Sequence, residues 1–395
     1  MPADPPRESP AVALTQLPVA LTAALQCDDP LPLTATLEVL SRGLEGRGLS
    51  AADLAPVVAE HLEDLCRAAV ADAVARVGAH RRNDRPSVAA ILTPLVGSLE
   101  LPTRSLMDAA EIIPIGAHAS LSPLALAIDE QLVPQVRRIV AEDPQWGEIL
   151  PIALHNLSTR LSEVARIAEA LTPLEEAVDL IRSLAQVAPD AHDPALASAL
   201  NALSVLTARA GRNADAKAIG FEAIAIQQRL ANAHPEIHEA DLAQSLHNMS
   251  NHCREAGQGR FPVMLMTKAV EIRRRLAEAH PGLHLPSLAG SLNNLSNMLA
   301  LSQPGVDPLP AIEEAVGIRR QLAQDDPTSH AADLAQSLFN LSRLLVNAGR
   351  TPEGVVALEE SIDLRRGLVT DGYAVDTAHL AHSLDILSAL HRICP

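Results

Sequence analysis

LAQSLFNLSRLL, Leu334 to Leu345, is the stretch that decides the fold. Leu334, Leu338, Leu341, Ser342 and Leu345 stand at i, i+4, i+7, i+8 and i+11, which is one stripe of an α-helix. The same wording returns without gaps as LPIALHNLSTRL from Leu150, LASALNALSVLT from Leu196, LAQSLHNMSNHC from Leu242, LAGSLNNLSNML from Leu288 and LAHSLDILSALH from Leu380, so every step is 46 residues. Serine recurs at one place in each copy, as Ser158, Ser204, Ser250, Ser296, Ser342 and Ser388.

A second signature keeps the same period between these copies. It reads LEEAVDLIRSLA from Leu174, GFEAIAIQQRLA from Gly220, MTKAVEIRRRLA from Met266, IEEAVGIRRQLA from Ile312 and LEESIDLRRGLV from Leu358. Gly211, Gly257 and Gly349 stand where the first helix should end, as a C-terminal glycine does. Pro189, Pro235, Pro281 and Pro327, with Tyr373 in the last case, follow the second helix and are expected to end it. Each unit thus reads as a helical hairpin, which cannot bury its apolar faces alone and must stack on neighbours. Ala177, Ala223, Ala269, Ala315 and Ser361 set a small residue on the second helix, opposite the recurrent serine, which predicts close helix approach.

At this point the pattern resembles the tetratricopeptide repeat. Unit 334–379 matches that family at Leu341, Ser342, Leu345, Gly349, Gly354, Leu358 and Ser361; unit 196–241 matches at Leu203, Ser204, Gly211, Ala216 and Ala223, and departs at Thr207 and Gly220. The N-N-L-S wording is similar to the long repeats of kinesin light chains and of bacterial relatives. The resemblance implies an all-α fold, a right-handed superhelical solenoid of antiparallel helix pairs, with the extra unit length in a longer second helix and connector. Five repeats are expected over 150–379, with a terminal capping helix over 380–395. The turn at Leu299 to Pro310, LALSQPGVDPLP, is irregular and predicts a local change of pitch.

The N-terminal third fits less well. Residues 1–10 read as a disordered start. Leu33 to Leu44, Ser50 to Val77 and Leu124 to Asp143 read as helices, but the offset from Leu37 to Leu154 is not a multiple of the period. Residues 11–149 are therefore degenerate helical repeats or, alternatively, a separate small helical domain over about 11–100.

Composition narrows function. Hydrophobic residues make up 48% of the 395, yet aromatics only 1%, so the apolar mass is helix-favouring Ala and Leu with Val and Ile. A formal net charge of −17 argues against nucleic acid and against anionic membranes. Only Lys217 and Lys268 are lysine, which together with the alanine content suggests a GC-rich genome; a bacterial source is what the resemblance to bacterial relatives implies. Cys27, Cys66, Cys253 and Cys394 make no C-x-x-C pair, so neither a zinc site, a redox motif nor a disulfide framework is indicated. No signal peptide and no membrane span is read, and a cytoplasmic protein is the expectation. No P-loop, H-E-x-x-H, G-x-S-x-G or kinase set is present, so no catalytic residue, metal or cofactor is assigned. His247, His252 and Cys253 are the nearest approach to a ligand cluster, but i, i+5 spacing separates the two histidines around the helix. The charges Glu175, Glu176, Glu313, Glu314, Arg319, Arg320, Arg365 and Arg366 read as a solvated outer surface with intrahelical ion pairs rather than as a docking face.

In the resembled family the non-packed residues of the first helix line a concave groove that contacts the ligand. Carried over by position, the candidate partner-binding residues are Asn156, His247, Asn248, Asn251, Arg254, Asn293, Asn294, Asn297, Asn340 and Arg343. Asparagine offers both a donor and an acceptor, so it can bond the backbone of an extended, partly acidic segment without reading its side chains. The same asparagines could instead bond neighbouring helices. Ile152, Ser198, Gln244, Gly290 and Gln336 stand where the family's C-terminal-carboxylate clamp would carry cations, which puts that clamp in doubt. The expectation is a non-enzymatic scaffold for a protein or peptide partner. The alternative is a regulatory or sensor module acting in trans on a bacterial signalling or transcription effector.

Overall fold

A computed structural model describes residues 10–27, 31–45, 50–78, 86–116, 119–255, 260–303, 305–370 and 375–393. Among them every regular element is an α-helix apart from one short 3-10 turn, and no helix is long and apolar enough to cross a membrane. The expectations for residues 1–9, Gly257, Tyr373, Cys394 and Pro395 lie outside the described residues; Pro10 opens the first helix. Two compact units divide between His192 and Asp193.

The first unit holds α1 (Pro10–Leu25), α2 (Leu31–Glu45), α3 (Ala51–Gly78), α4 (Val88–Ser98), α5 (Thr103–Ile112), α6 (Ser122–Glu142), α7 (Ile149–Glu163) and α8 (Ile167–Val187). Helix α2 buries Leu37 and Leu40 as its spacing predicts, and Ser50 caps α3 by accepting the Asp53 amide at 3.2 Å. Here the first four helices also pack on the one two places ahead, α1 on α3, α2 on α4, α3 on α5 and α4 on α6, while α5 to α8 pack each on the next. One core runs from Leu17 through Leu65, Leu92, Leu106 and Leu124 to Leu154 and Ala177. The hairpin α7–α8 therefore shares its core with the N-terminal helices, although its sequence is the first copy of the repeat.

A buried charge cluster ties this unit together. Arg160 of α7 donates through Nη1 to Pro114 O at 3.0 Å and through Nη2 to Ile113 O, beyond the end of α5. Its Nε has no hydrogen-bond partner and faces Asp129 Oδ2 of α6 at 3.8 Å. Burial pushes the Asp129 carboxyl up to about 7; Arg160 opposes that shift and Glu163 adds to it.

The second unit continues from within α9 (Pro189–Arg209) through α10 (Asn213–Ala233), α11 (Pro235–Glu255), α12 (Arg260–Ala279), α13 (Pro281–Ser302), α14 (Leu309–Asp325), α15 (Pro327–Asn347), α16 (Thr351–Thr370) and α17 (Val375–Ile393). From α10 onward each helix packs on the next. The prolines do more than end the second helix of each hairpin. Pro281 and Pro327 are first residues of α13 and α15, after a single break residue, His280 or Asp326, with ψ of 75° or 89°. Proline fits there because its φ is preset and its missing N–H has no helical partner to lose, while the residue before it is pushed out of the helical region. The expected long connector is thus absent. The extra length lies in both helices, as α10 and α11 each have 21 residues.

Two recurrent residues are explained by geometry. Gly211 and Gly349 take φ of +82° and +78° just after α9 and α15; Ala165 holds the equivalent place in the first unit at +63°. The recurrent serine is not merely small. Ser158 Oγ donates to Ala170 O at 2.7 Å, Ser204 to Ala216 O at 2.7 Å and Ser250 to Pro262 O at 2.6 Å, binding the first helix of a hairpin to the start of its second. Each such bond contributes about 1 kcal/mol. In the irregular unit Ser296 turns back to Asn293 O at 2.8 Å, because α14 begins only at Leu309. At the departure noted in the second unit, Gly220 makes room for the Met249 methyl, so a missing leucine on one helix is filled by a longer side chain on another.

The outer-surface reading of the helix charges needs correction at alternate arginines. Arg320 and Arg366 are exposed, Arg320 pairing with Glu360 at 2.8 Å across hairpins. Arg319 and Arg365 are buried, as is Arg273 one unit earlier. Arg319 Nη1 donates to Asp333 O at 2.8 Å and to Ser337 Oγ at 2.5 Å on α15. Arg273 Nη1 reaches Ser287 O at 3.0 Å and Ser291 Oγ on α13, and its Nη2 reaches Gln244 Oε1 at 2.7 Å. Arg365 bonds Gln336 Oε1 at 3.1 Å and lies 5.9 Å over the Phe339 ring. Burial lowers the pKa of Arg273 to about 10. These guanidiniums cross-link consecutive helices from inside.

Candidate functional site

The first helices of three consecutive hairpins, α11, α13 and α15, present polar stripes. Asn251 and Arg254 are three apart on α11; Asn294, Asn297 and Leu301 are spaced three and four apart on α13; Asn340 and Arg343 are three apart on α15. Helical spacing sets each group on one face. Together with Met298 they line a hollow of about 490 Å³. Six of the ten sequence-predicted residues thus converge in one place.

The hollow is held by an amide ladder. Asn248 Nδ2 donates to Asn201 Oδ1 at 3.2 Å, and Asn340 Nδ2 donates to Asn293 Oδ1 at 3.0 Å, each a step of 47 residues. The intermediate step pairs Asn294 Nδ2 with His247 Nε2 at 3.2 Å. Ser337 Oγ adds a 3.1 Å bond to Asn293 Oδ1, and Arg343 Nη2 donates to Asn297 Oδ1 at 2.5 Å. The asparagines therefore do bond neighbouring helices, and the ladder fixes which atoms are left facing the hollow.

The other predicted residues stand around or away from it. Asn293 is buried as the acceptor of the Asn340 rung, and Asn248 also accepts from Gln244 Nε2 at 2.9 Å. His247 lies in the arginine network, its Nδ1 2.9 Å from Ser291 Oγ and 3.2 Å from Arg273 Nη1. Burial, reinforced by the Arg273 charge, pushes its pKa down to about 4. His252 instead lies 3.4 Å from Ser204 Oγ, so the two histidines address different neighbours. Asn156 is half-buried on α7 in the first unit.

Sequence reasoning missed the buried arginines and the apolar lip. The signal for the arginines was their phase: Arg273 continues the stripe Met266, Ala269, Ala277, and Arg319 continues Ile312, Ala315. Leu301, 68% exposed, carried no signal, because an apolar residue in a helix reads first as core.

Comparison with known proteins follows the same lines. Residues 152–190 match the family profile of the tetratricopeptide repeat. No curated protein sequence matches the chain significantly. Among solved structures, BtubC (BKLC) from P. vanneervenii is similar in fold, with TM-score 0.51 and 20% identity over 64% of this chain and 93% of that one. Kinesin-light-chain-like repeats from Podosopora anserina are 20% identical over 55% of this chain and 95% of theirs, at TM-score 0.40. YrrB, a tetratricopeptide-repeat protein with an unusual peptide-binding site, is 15% identical over 60% of this chain and 96% of its own, at TM-score 0.35. Residues 152–190 thus match the tetratricopeptide repeat in sequence, and the stacked hairpins are similar in fold to a solved structure at 20% identity.

Proposed function

We propose that the chain is a protein-interaction scaffold whose hollow on α11, α13 and α15 holds an extended, partly acidic peptide. The observation that carries this reading is the convergence of Asn251, Arg254, Asn294, Asn297, Asn340 and Arg343 on one recess. The ladder commits Asn340 Nδ2 to Asn293, which leaves Asn340 Oδ1 to accept a peptide N–H; Arg343 commits Asn297 Oδ1, which leaves the Asn297 amide to donate to a peptide carbonyl. A donor and an acceptor held on adjacent helices suit a main chain rather than any one side chain. The guanidiniums of Arg254 and Arg343 suit carboxylates, and Leu301 offers contact for an apolar neighbour. No catalytic step is assigned, and a cytoplasmic setting belongs to the same proposal.

A displayed library of extended peptides tests it. The double variant Asn297→Ala, Asn340→Ala is expected to weaken every selected peptide about tenfold or more, whatever its side chains. Arg343→Ala is expected to weaken acidic peptides selectively. Peptides that bind both variants as well as the parent would place recognition outside this hollow.

A further inference from the structure

On α10 and α12 the charged rows of the second unit's second helices give way to aromatic and apolar residues. Phe221 on α10 occupies the position held by Glu175, Glu313 and Glu359 in other hairpins, and Phe261 on α12 occupies that of Glu169, Asp215, Asp307 and Glu353. Those two are among only three phenylalanines in the chain. Their ring centroids lie 6.0 Å apart. Phe221 is 41% exposed and Met264, one turn beyond Phe261, is 59% exposed. Lys268 continues the same stripe and its Nζ bonds Gln228 Oε1 of α10 at 2.7 Å, so the two helices present one joined surface. Elsewhere on this unit acids of the Phe221 and Lys268 rows are ion-paired, as in Arg350 with Glu313 at 3.4 Å and Arg274 with Glu314 at 2.7 Å.

We propose that this face of α10 and α12, centred on Phe221, Phe261 and Met264, is a contact with a second copy of the same chain. Charge selects the occupant. At −17 two copies repel over most of their surfaces. Here the acids of the sister hairpins are replaced by phenylalanine, and Lys217, Arg260 and Lys268 accompany Glu222 and Glu271, so both signs are present. A face carrying both signs around an apolar centre can be its own complement, as an isologous contact requires. Area bounds the contact: two helices of this length about 10 Å apart offer roughly 600 Å² per copy, at the lower end of specific interfaces. A weak, reversible dimer is expected, since a contact of this size carries few anchors beyond the two rings and Met264.

Sedimentation equilibrium of the full chain tests this. The parent is expected to dimerise with a Kd on the order of 10 µM, and more tightly as salt screens the mutual repulsion. Phe221→Glu restores the residue of the sister hairpins and is expected to weaken the dimer about tenfold or more. Met264→Lys, at an exposed side chain, is expected to do the same with thermal stability unchanged, which separates loss of contact from loss of fold. A parent that stays monomeric at roughly 200 µM would overturn the proposal. So would a dimer that survives both substitutions, or one that dissociates as salt is raised.

Discussion

In the first unit one arginine, Arg160, is buried beside a buried carboxylate, Asp129, whereas in the second unit Arg273, Arg319 and Arg365 are buried against carbonyl, hydroxyl and amide oxygens, the one carboxylate near Arg319, Asp333, being exposed to solvent. The residue type is the same but the solution differs. The first relies on the end of α5 and on an acid that burial makes hard to ionise. The second repeats a bridge that every hairpin can reuse, because Ser291 and Ser337 stand eighteen residues after their arginines. A core closed around one charge cluster is a single event. A bridge written into a period is copied, and it can also be lost in one copy.

The largest effects should come from removing the arginines. Arg160→Leu leaves Ile113 O and Pro114 O without their donor and Asp129 without its cation; a loss of about 3–5 kcal/mol is expected in urea unfolding. Amide exchange should then accelerate in α5 to α7 and stay unchanged in α13 to α16. Arg319→Leu should give the reverse pattern, with a loss of about 2–3 kcal/mol. If either substitution loosened both units equally, the contrast between them would collapse.

Acidity should move the units in opposite directions. Asp129 has a folded pKa near 7 against an ordinary 3.8, so the folded first unit binds the extra proton and its stability falls as pH rises from about 4 to 7. His247 has a folded pKa near 4 against 6.5, so the unfolded second unit binds the extra proton and stability is lost as pH falls from about 6.5 to 4. A tenfold difference in proton affinity between folded and unfolded chain corresponds to about 1.4 kcal/mol. Exchange at pH 4.5 and 7.5, corrected for intrinsic rates, reads both trends. Asp129→Asn should flatten the first and His247→Asn the second.

A smaller effect is expected where the period has lapsed. Gln227 occupies the arginine position of its hairpin, and its Oε1 and the Ser245 Oγ eighteen residues later are buried without partners. Gln227→Arg should restore the bridge and raise the melting midpoint, for a gain of about 1–2 kcal/mol. No gain would mean that the period alone does not make the bridge. Smallest of all, Ala165→Gly should stabilise the first unit and Gly349→Ala destabilise the second, each by about 1 kcal/mol, since both residues have positive φ.

Much of this was legible in the chain. The helix type, the serine phase, the glycine turns and the small residues at Ala223 and Ala269 follow from spacing, because a helix repeats its face every few residues whatever surrounds it. The prolines show in sequence where a helix cannot continue, and less plainly that the next one starts at once. The candidate residues of the groove were named from position. Which of their atoms remain available was not legible, since an amide's partner on the next helix depends on how two hairpins stack.

The sequence by itself determined the all-helical hairpin and its 46-residue step, because both are local and periodic. Tertiary structure alone decided three further things. It assigned the hairpin α7–α8 to the core of the first unit, buried one arginine of each adjacent pair while leaving the other in solvent, and gathered six polar side chains into a hollow. The physical reason is common to all three. Burial and hydrogen bonding are properties of the neighbour as much as of the residue, and the neighbour lies tens of residues away along the chain.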